Sequence, residues 1–176
     1  KIFNKYVILR PSLVYSVDDN FTTMLMRMLR LLPVFPIYHN GKTIFYPIHV
    51  TDICEIIDNV ILNEICEETI ECIGPEKITF KQIINKLTKS LEIKKLLMPM
   101  PLTAAKLFAR FFELTMKNPL LTRDQLTLLK YDNSPSGKYK TNLDLKLSND
   151  LKYFDKEVLK YSYMWKDGGE FSKKQN

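Results

Sequence analysis

The sequence predicts an α/β fold, and two observations carry that reading. Short β-branched runs at Tyr6–Leu9, Thr43–Val50 and Glu68–Ile73 are separated by stretches whose apolar residues recur at i, i+3, i+4 and i+7, the period of a helix with one buried face. The glycines number only 5, too few for Gly-rich linkers, a collagen-like repeat or a glycine-based phosphate loop. The opening run Tyr-Val-Ile-Leu is apolar at every position, as in a parallel strand covered on both faces. Because no residues precede it that would build the rest of such a sheet, the chain is expected to be the carboxyl-terminal part of a larger sheet-forming unit.

Composition narrows the function classes. With 176 residues and 45% hydrophobic content the chain has room for one folded domain. Cys54, Cys66 and Cys72 are odd in number and contain no C-x-x-C pair, which argues against a disulfide framework and a zinc site and leaves them as reduced core thiols. No apolar run approaches the roughly 18 residues that span a bilayer, and the first residues lack a signal-peptide pattern. The net charge of +6 permits attraction to anionic lipid or an acidic protein face. Its positive residues are scattered apart from Lys94-Lys95 and Lys173-Lys174, and no nucleic-acid-binding motif accompanies them.

Phe21, Met24, Leu25, Met28, Leu29 and Leu32 stripe the first helix, with Asp19 or Asn20 available to cap it. Its methionines read as core packing rather than as a metal site. Pro33 and Pro36 then break the pattern, Asn40-Gly41 turns the chain, and the extended Thr43–Val50 leads into a helix marked by Ile53, Ile56, Ile57, Val60 and Ile61. Beyond the strand at Glu68–Ile73, Gly74-Pro75-Glu76 is a turn, and Phe80, Ile83, Ile84, Leu87 and Leu91 stripe a third helix. Thr79 and Gln82 have the spacing of a capping box, with Ile78 and Ile83 as its hydrophobic staple. Thr122 and Gln125 repeat that grammar with Leu121 and Leu126, and Ala104, Leu107, Phe108, Phe111 and Phe112 form an aromatic helix face between them.

After Asp132 the pattern weakens. Asn133-Ser134-Pro135-Ser136-Gly137 is a turn cluster and Lys138–Leu147 is polar with scattered leucines. Residues 1–133 are therefore assigned to the main unit, and 134–176 to an irregular segment with a short helix around Lys156–Tyr163 and a frayed tail from Asp167.

Candidate chemistry is sparse. His49 and Asp52, three residues apart where a strand gives way to a helix, have the types of an acid–base or ligand pair, but the same placement suits a strand end and a helix-start charge. Ser12 and Ser16 sit in no G-x-S-x-G elbow. His39, His49 and the cysteines have no metal-ligand spacing, so no metal site and no catalytic residue are assigned. Arg10-Pro11 marks a strand end, since Pro11 removes a donor and forces Arg10 out of helical geometry. If that strand is parallel, Pro11–Tyr15 faces the zone where ligands of open α/β sheets bind.

The stretches ILRPSLVYSVDDNF, GKTIFYPIHVTDI, GPEKITFKQII, MPMPL and PLLTRDQLTLLKYDN, in that order, resemble the carboxyl-terminal part of the atypical extended short-chain dehydrogenase/reductases. Within that family they are most similar to the NAD(P)H-binding accessory subunit of respiratory complex I and its bacterial relatives. The resemblance covers about residues 6–133 and implies an incomplete Rossmann-like, NAD(P)-binding sheet edge joined to a mainly helical carboxyl-terminal lobe. In a complete member the strand carrying Arg10-Pro11 would be the sixth of the sheet, and Pro11, Ser12, Leu13 and Val14 would border the nicotinamide end of NADP or NAD.

The same resemblance locates what is not here. The family's GxxGxxG loop, which lets a helix amino terminus approach a pyrophosphate, is absent from these 176 residues. Its catalytic YxxxK pair, in which an ammonium tunes a phenol, would precede the strand carrying Arg10-Pro11, where this chain has none; the Tyr38–Lys42 spacing falls after that strand. No cofactor and no catalysis are expected of this chain alone. Ser16 stands where many members carry Gly, and Ile44-Phe45-Tyr46-Pro47 where nucleotide-sugar enzymes place a diphosphate-holding Arg. The implied role is a non-catalytic, structural or assembly part of NADH:ubiquinone oxidoreductase on the cytoplasmic or mitochondrial-matrix side. Its partners would be the peripheral arm of complex I or a separate amino-terminal half, with peripheral contact to anionic membrane. Two alternatives are the substrate-side half of an NAD(P)-dependent epimerase or reductase and an inactive remnant of a split gene.

Overall fold

A computed structural model describes residues 5–115 and 122–171, apart from the side chains of Leu102, Phe108, Phe111, Phe112 and Thr115. In chain order the described residues form β1 (Val7–Pro11), β2 (Val14–Tyr15), α1 (Asn20–Leu31), β3 (Val34–Tyr38), β4 (Ile44–Phe45), β5 (Ile48–His49) and α2 (Val50–Leu62). There follow β6 (Glu68–Cys72), β7 (Ile78–Thr79), α3 (Phe80–Ser90), β8 (Leu96–Met100), α4 (Leu102–Thr115), α5 (Arg123–Leu128), β9 (Lys140–Thr141) and α6 (Phe154–Tyr161). Strands and helices alternate as the sequence predicts, and the architecture is a partial Rossmann-like α/β fold.

β1, β6 and β9 make one parallel sheet in that order. β1 runs beside β6 from Val7 opposite Glu68 to Pro11 opposite Cys72. Side chains alternate between faces along a strand. Val7 and Leu9 pack with Ile53, Ile56 and Val60 of α2 and with Ile70, Cys72 and Leu147, while Ile8 on the opposite face is 50% exposed. The strand expected to be covered on both faces is thus covered on one, and among the described residues it is the edge of its sheet.

A larger core gathers α1, α3 and α6 around Phe35, Tyr38, Phe45 and Phe80. Asp19 caps α1 by accepting from the N–H groups of Phe21 and Thr22 at 2.7 and 2.5 Å. Both capping boxes form, at Thr79 with Gln82 and at Thr122 with Gln125. Ile78 and Ile83 are buried in the same core, whereas Leu121 lies outside the described residues.

Several sequence-level expectations are corrected. Val34–Tyr38, read as proline breaks, and Leu96–Met100, to which the sequence reading assigns no element, are parallel strands paired from Val34 opposite Leu96 to Tyr38 opposite Met100. They form a two-stranded ribbon, so each is an edge that tolerates Pro36 or Pro99 where no ladder donor is needed. Thr43–Val50 divides at Tyr46-Pro47 into β4, antiparallel to β7, and β5, parallel to β2. On α4, among the described side chains, Ala105 and Ala109 are buried and Leu107 is 71% exposed; Phe108, Phe111 and Phe112 of the expected aromatic face lie outside the described side chains. Of the cysteines only Cys72 is buried, and Cys54 is exposed on α2.

The carboxyl-terminal segment contributes to both cores. After the irregular stretch through Tyr139, β9 extends the parallel sheet, and buried Asn142 accepts from the Ile73 N–H at 2.7 Å while donating to the Ser148 hydroxyl at 3.2 Å. The helix expected near Lys156–Tyr163 spans Phe154–Tyr161 and inserts Phe154, Val158 and Tyr161 into the larger core. Asp167 pairs with Arg30 and the Phe171 ring lies 4.8 Å from that of Trp165; Lys173-Lys174 lie outside the described residues.

Candidate functional site

The site is built where the parallel strands end. Beyond Pro11, the Ser12 N–H donates to the Cys72 carbonyl at 2.9 Å, prolonging the β1–β6 ladder by one bond. The Ser12 hydroxyl donates to the Asn133 carbonyl at 3.0 Å and accepts from the Tyr46 N–H at 3.2 Å. The Leu13 carbonyl accepts from the Ile48 N–H at 2.9 Å, and Val14-Tyr15 then pairs with Ile48-His49. Pro11–Val14 is therefore an arch that carries the chain from one small sheet to another. Pro11 is exposed and Ser12, Leu13 and Val14 are half-buried, with the Ser12 N–H, the Ser12 hydroxyl and the Leu13 carbonyl already engaged inside the chain.

Gly74 lets this crossing happen. Its N–H donates to the Tyr46 carbonyl at 3.2 Å, and a Cβ built on it would stand 1.6 Å from the Pro47 carbonyl oxygen. Any side chain would force apart two backbones that meet at the carboxyl ends of β1 and β6. The sequence signals a turn at Gly74-Pro75-Glu76 but not this close approach. Glu76 next accepts from Lys86 at 2.9 Å and from the Phe154 N–H at 3.1 Å, tying α3 to the start of α6.

Leu13 also forms one wall of a cavity of about 300 Å³. α1 supplies Phe21, Met24 and Met28, the β3 strand supplies Phe35 and Tyr38, and Phe45, Phe80, Leu128 and Leu129 close the remainder. Gln125, Asp132 and Asn133 stand among the lining residues, and Asp132 is the sole charged residue that the described residues contribute to that lining. Phe45 thus occupies, as an apolar wall, the stretch in which nucleotide-sugar enzymes are expected to carry a guanidinium.

His49 and Asp52 do not converge on one ligand position. His49 caps α2, its Nδ1 accepting from the Thr51 N–H at 3.3 Å. Burial pulls its imidazole below the usual range, against the pull of the Glu157 and Asp52 carboxylates. Asp52, fully buried in the first turn of α2, accepts from the Lys152 backbone N–H at 3.0 Å and from its ammonium at 3.1 Å. Nothing in the local sequence announces Lys152, which lies a hundred residues downstream.

Burial holds the phenols of Tyr15, Tyr38 and Tyr161 above their ordinary range. Burial pushes Tyr38 up to about 12 and raises Tyr15 and Tyr161 further, with Asp52 and Glu157 adding to the shift at Tyr15. The Tyr15 hydroxyl donates to the Lys152 carbonyl at 3.2 Å, and its ring packs edge-on against His49 and Phe154 at 5.2 and 4.9 Å. Burial likewise lifts the Cys72 thiol to about 11. Among the described residues no three His, Cys, Asp or Glu side chains gather as a metal site, and no helix is long and apolar enough to cross a membrane.

No protein-family model matches the chain. Its fold is similar to that of the human epimerase family protein SDR39U1 (isoform 2), solved with NADPH, at a TM-score of 0.63 and 13% identity over 90% of this chain and 48% of that one. The dTDP-4-dehydrorhamnose reductase of Bacillus anthracis, solved with NADP, matches at 0.56 and 14% identity over 90% of this chain and 48% of that one. The UDP-N-acetylglucosamine 4-epimerase of Methanobrevibacter ruminantium, solved with UDP-N-acetylmuramic acid, matches at 0.51 and 15% identity over 92% of this chain and 46% of its own length. At these identities the likeness is one of fold. The chain spans about half the length of the solved structures it matches.

Proposed function

We propose that this chain is the carboxyl-terminal, substrate-side portion of an NAD(P)-dependent epimerase- or reductase-like protein, and that it acts when an amino-terminal α/β half lays a parallel strand along β1. The observation that carries this reading is β1 itself. It is parallel to β6, it is an edge among the described residues, and Tyr6 and Ile8 beside its open face are 53% and 50% exposed. Parallel sheets are stable with both faces covered, and an unprotected apolar edge is a template for another strand. The exposed residues Val50, Cys54, Ile57 and Ile61 add a second uncovered stripe along α2.

In the assembled protein Pro11–Val14 borders the nicotinamide end of NAD or NADP, and the apolar cavity beside Leu13 faces the substrate. The completed sheet supplies the pyrophosphate-binding loop that these residues lack. A second reading is a structural accessory subunit of respiratory complex I. It draws support from the sequence resemblance at residues 119–133 and from Phe45, which makes the cavity wall apolar where sugar-nucleotide chemistry needs a cation.

Co-expression with the polypeptide encoded immediately upstream tests the proposal. The two are expected to co-purify as a one-to-one complex, and Ile8→Lys on the bare face of β1 is expected to abolish it. Failure to co-purify, together with a monomeric chain that unfolds cooperatively by itself, would overturn the reading.

A further inference from the structure

We infer that the cavity between α1, β3 and α5 binds a small, uncharged, largely apolar molecule, and that it rejects anionic ligands such as nucleotides. The inference rests on the substrate-side reading only for the cavity's place in the fold, and its test needs neither a cofactor nor an amino-terminal half.

Size is the first argument. About 300 Å³ is the lower end of the range of ligand pockets, and apolar cavities of about half that size stay dry and take up hydrocarbon. The dispersion attraction that an empty apolar space forgoes is recovered when a molecule of matching shape fills it. Phe21, Met24, Met28 and Phe45 offer aromatic and thioether surface, and methionines adapt to irregular shapes and favour the edges of aromatic rings.

Charge is the second argument, and it decides the ligand class. Among the described residues the lining contains no Lys, Arg or His, and its one ionisable carboxylate is Asp132. Asp132 is held in place, accepting from the Ile44 N–H at 2.8 Å. An incoming phosphate would therefore lose its hydration without gaining a cation, which is strongly unfavourable in apolar surroundings. A neutral ring system or branched hydrocarbon meets no such penalty.

The neutral polar residues that the described chain adds to the lining are Tyr38, Gln125, Tyr131 and Asn133. The Gln125 side-chain oxygen is already taken by the Thr122 N–H at 3.0 Å. The ligand class is accordingly a hydrophobic body with little polar surface and no charge.

The test is a fluorescence titration of the purified chain with N-phenyl-1-naphthylamine, an uncharged apolar dye, alongside its anionic relative 8-anilinonaphthalene-1-sulfonate. The neutral dye is expected to bind saturably at one site per chain, at least tenfold more tightly than the anionic dye, and to resist displacement by uridine diphosphate. Met24→Trp, which fills the cavity, is expected to weaken binding at least tenfold with an unchanged circular dichroism spectrum. Leu128→Asp, at a lining position that is 70% exposed, reads the same effect if the tryptophan variant does not fold. Ile8→Lys is expected to leave binding unchanged. The inference is overturned if the neutral dye does not bind, if Met24→Trp and Leu128→Asp bind as the parent does, if Ile8→Lys abolishes binding, or if uridine diphosphate displaces the dye.

Discussion

Asp52 and Lys152, a hundred residues apart, form a buried clasp in which one carboxylate accepts both the backbone N–H and the ammonium of the same lysine, at 3.0 and 3.1 Å. The clasp fastens the segment before α6 to the first turn of α2. Its two halves are not equivalent, because Asp52 is fully buried while the Lys152 side chain is 35% exposed. Lys152→Met strands a buried carboxylate and is expected to cost about 3–5 kcal/mol. Asp52→Asn keeps an acceptor for the backbone N–H and lets the ammonium reach water, so about 1–3 kcal/mol is expected. Urea denaturation of both variants checks the order, and equal losses would contradict it.

His49 makes the fold acid-sensitive. Folding lowers its pKa, so the unfolded chain binds the proton more readily. The stability this contributes is present above about pH 6.5, the ordinary imidazole value, and is lost as pH falls through the lower folded value. Glu157 and Asp52 oppose the shift while Lys152 and Lys160 reinforce it. His49→Asn keeps a capping oxygen and removes the titration. Thermal midpoints measured from about pH 7.5 down to about pH 5, a range that brackets the imidazole titration, are expected to fall less steeply for this variant than for the parent.

Gly74→Ala is expected to be among the most damaging single-methyl additions, at about 3 kcal/mol or more, because the new Cβ would stand 1.6 Å from the Pro47 oxygen. Gly137→Ala is the control: nothing lies within 4 Å of its Cβ position, and the expected loss there reflects only its φ of +71°, about 1 kcal/mol. Chemical denaturation separates the two.

The helix starts offer a smaller, local test. Thr79→Ala and Thr122→Ala each remove the acceptor of a complete capping box, and each is expected to cost about 1 kcal/mol. Thr79→Ser keeps the bond and is expected to stay close to the parent in the same denaturation measurement.

What the residue order reveals follows from how local the interactions are. Capping boxes, helix stripes and the strand ending at Arg10-Pro11 are written within a few neighbouring residues, and they are legible. Asp19 as cap and Thr79 with Gln82 need no knowledge of the rest of the chain. The β3–β8 ribbon is hidden because Pro36 and Pro99 argue against strands unless the strands are known to be edges. The exposure of Leu107 on α4 is hidden because its size marks it as a core residue, while small Ala105 and Ala109, which are buried, carry little signal. At the site, Pro11–Val14 is locatable from the strand end, but its partners Asn133, Tyr46 and Cys72 come from three distant segments. Lys152 carries no local signal at all. Its pairing with Asp52 exists only once the chain has folded.

The most direct measurement is a calorimetric titration of NADPH and NADH into the purified chain, then into the chain co-purified with the upstream-encoded polypeptide. The Pro11–Val14 arch has few groups left to offer, and each new hydrogen bond is worth only about 0.5–1.5 kcal/mol net, far below the roughly 8 kcal/mol of micromolar affinity. No saturable binding below about 1 mM, a free energy of roughly 4 kcal/mol, is expected for the chain alone. Micromolar binding is expected for the complex, weakened by substitution of Pro11 or Ser12. Saturable micromolar binding by the chain alone would contradict the proposal that the cofactor site is completed by another half.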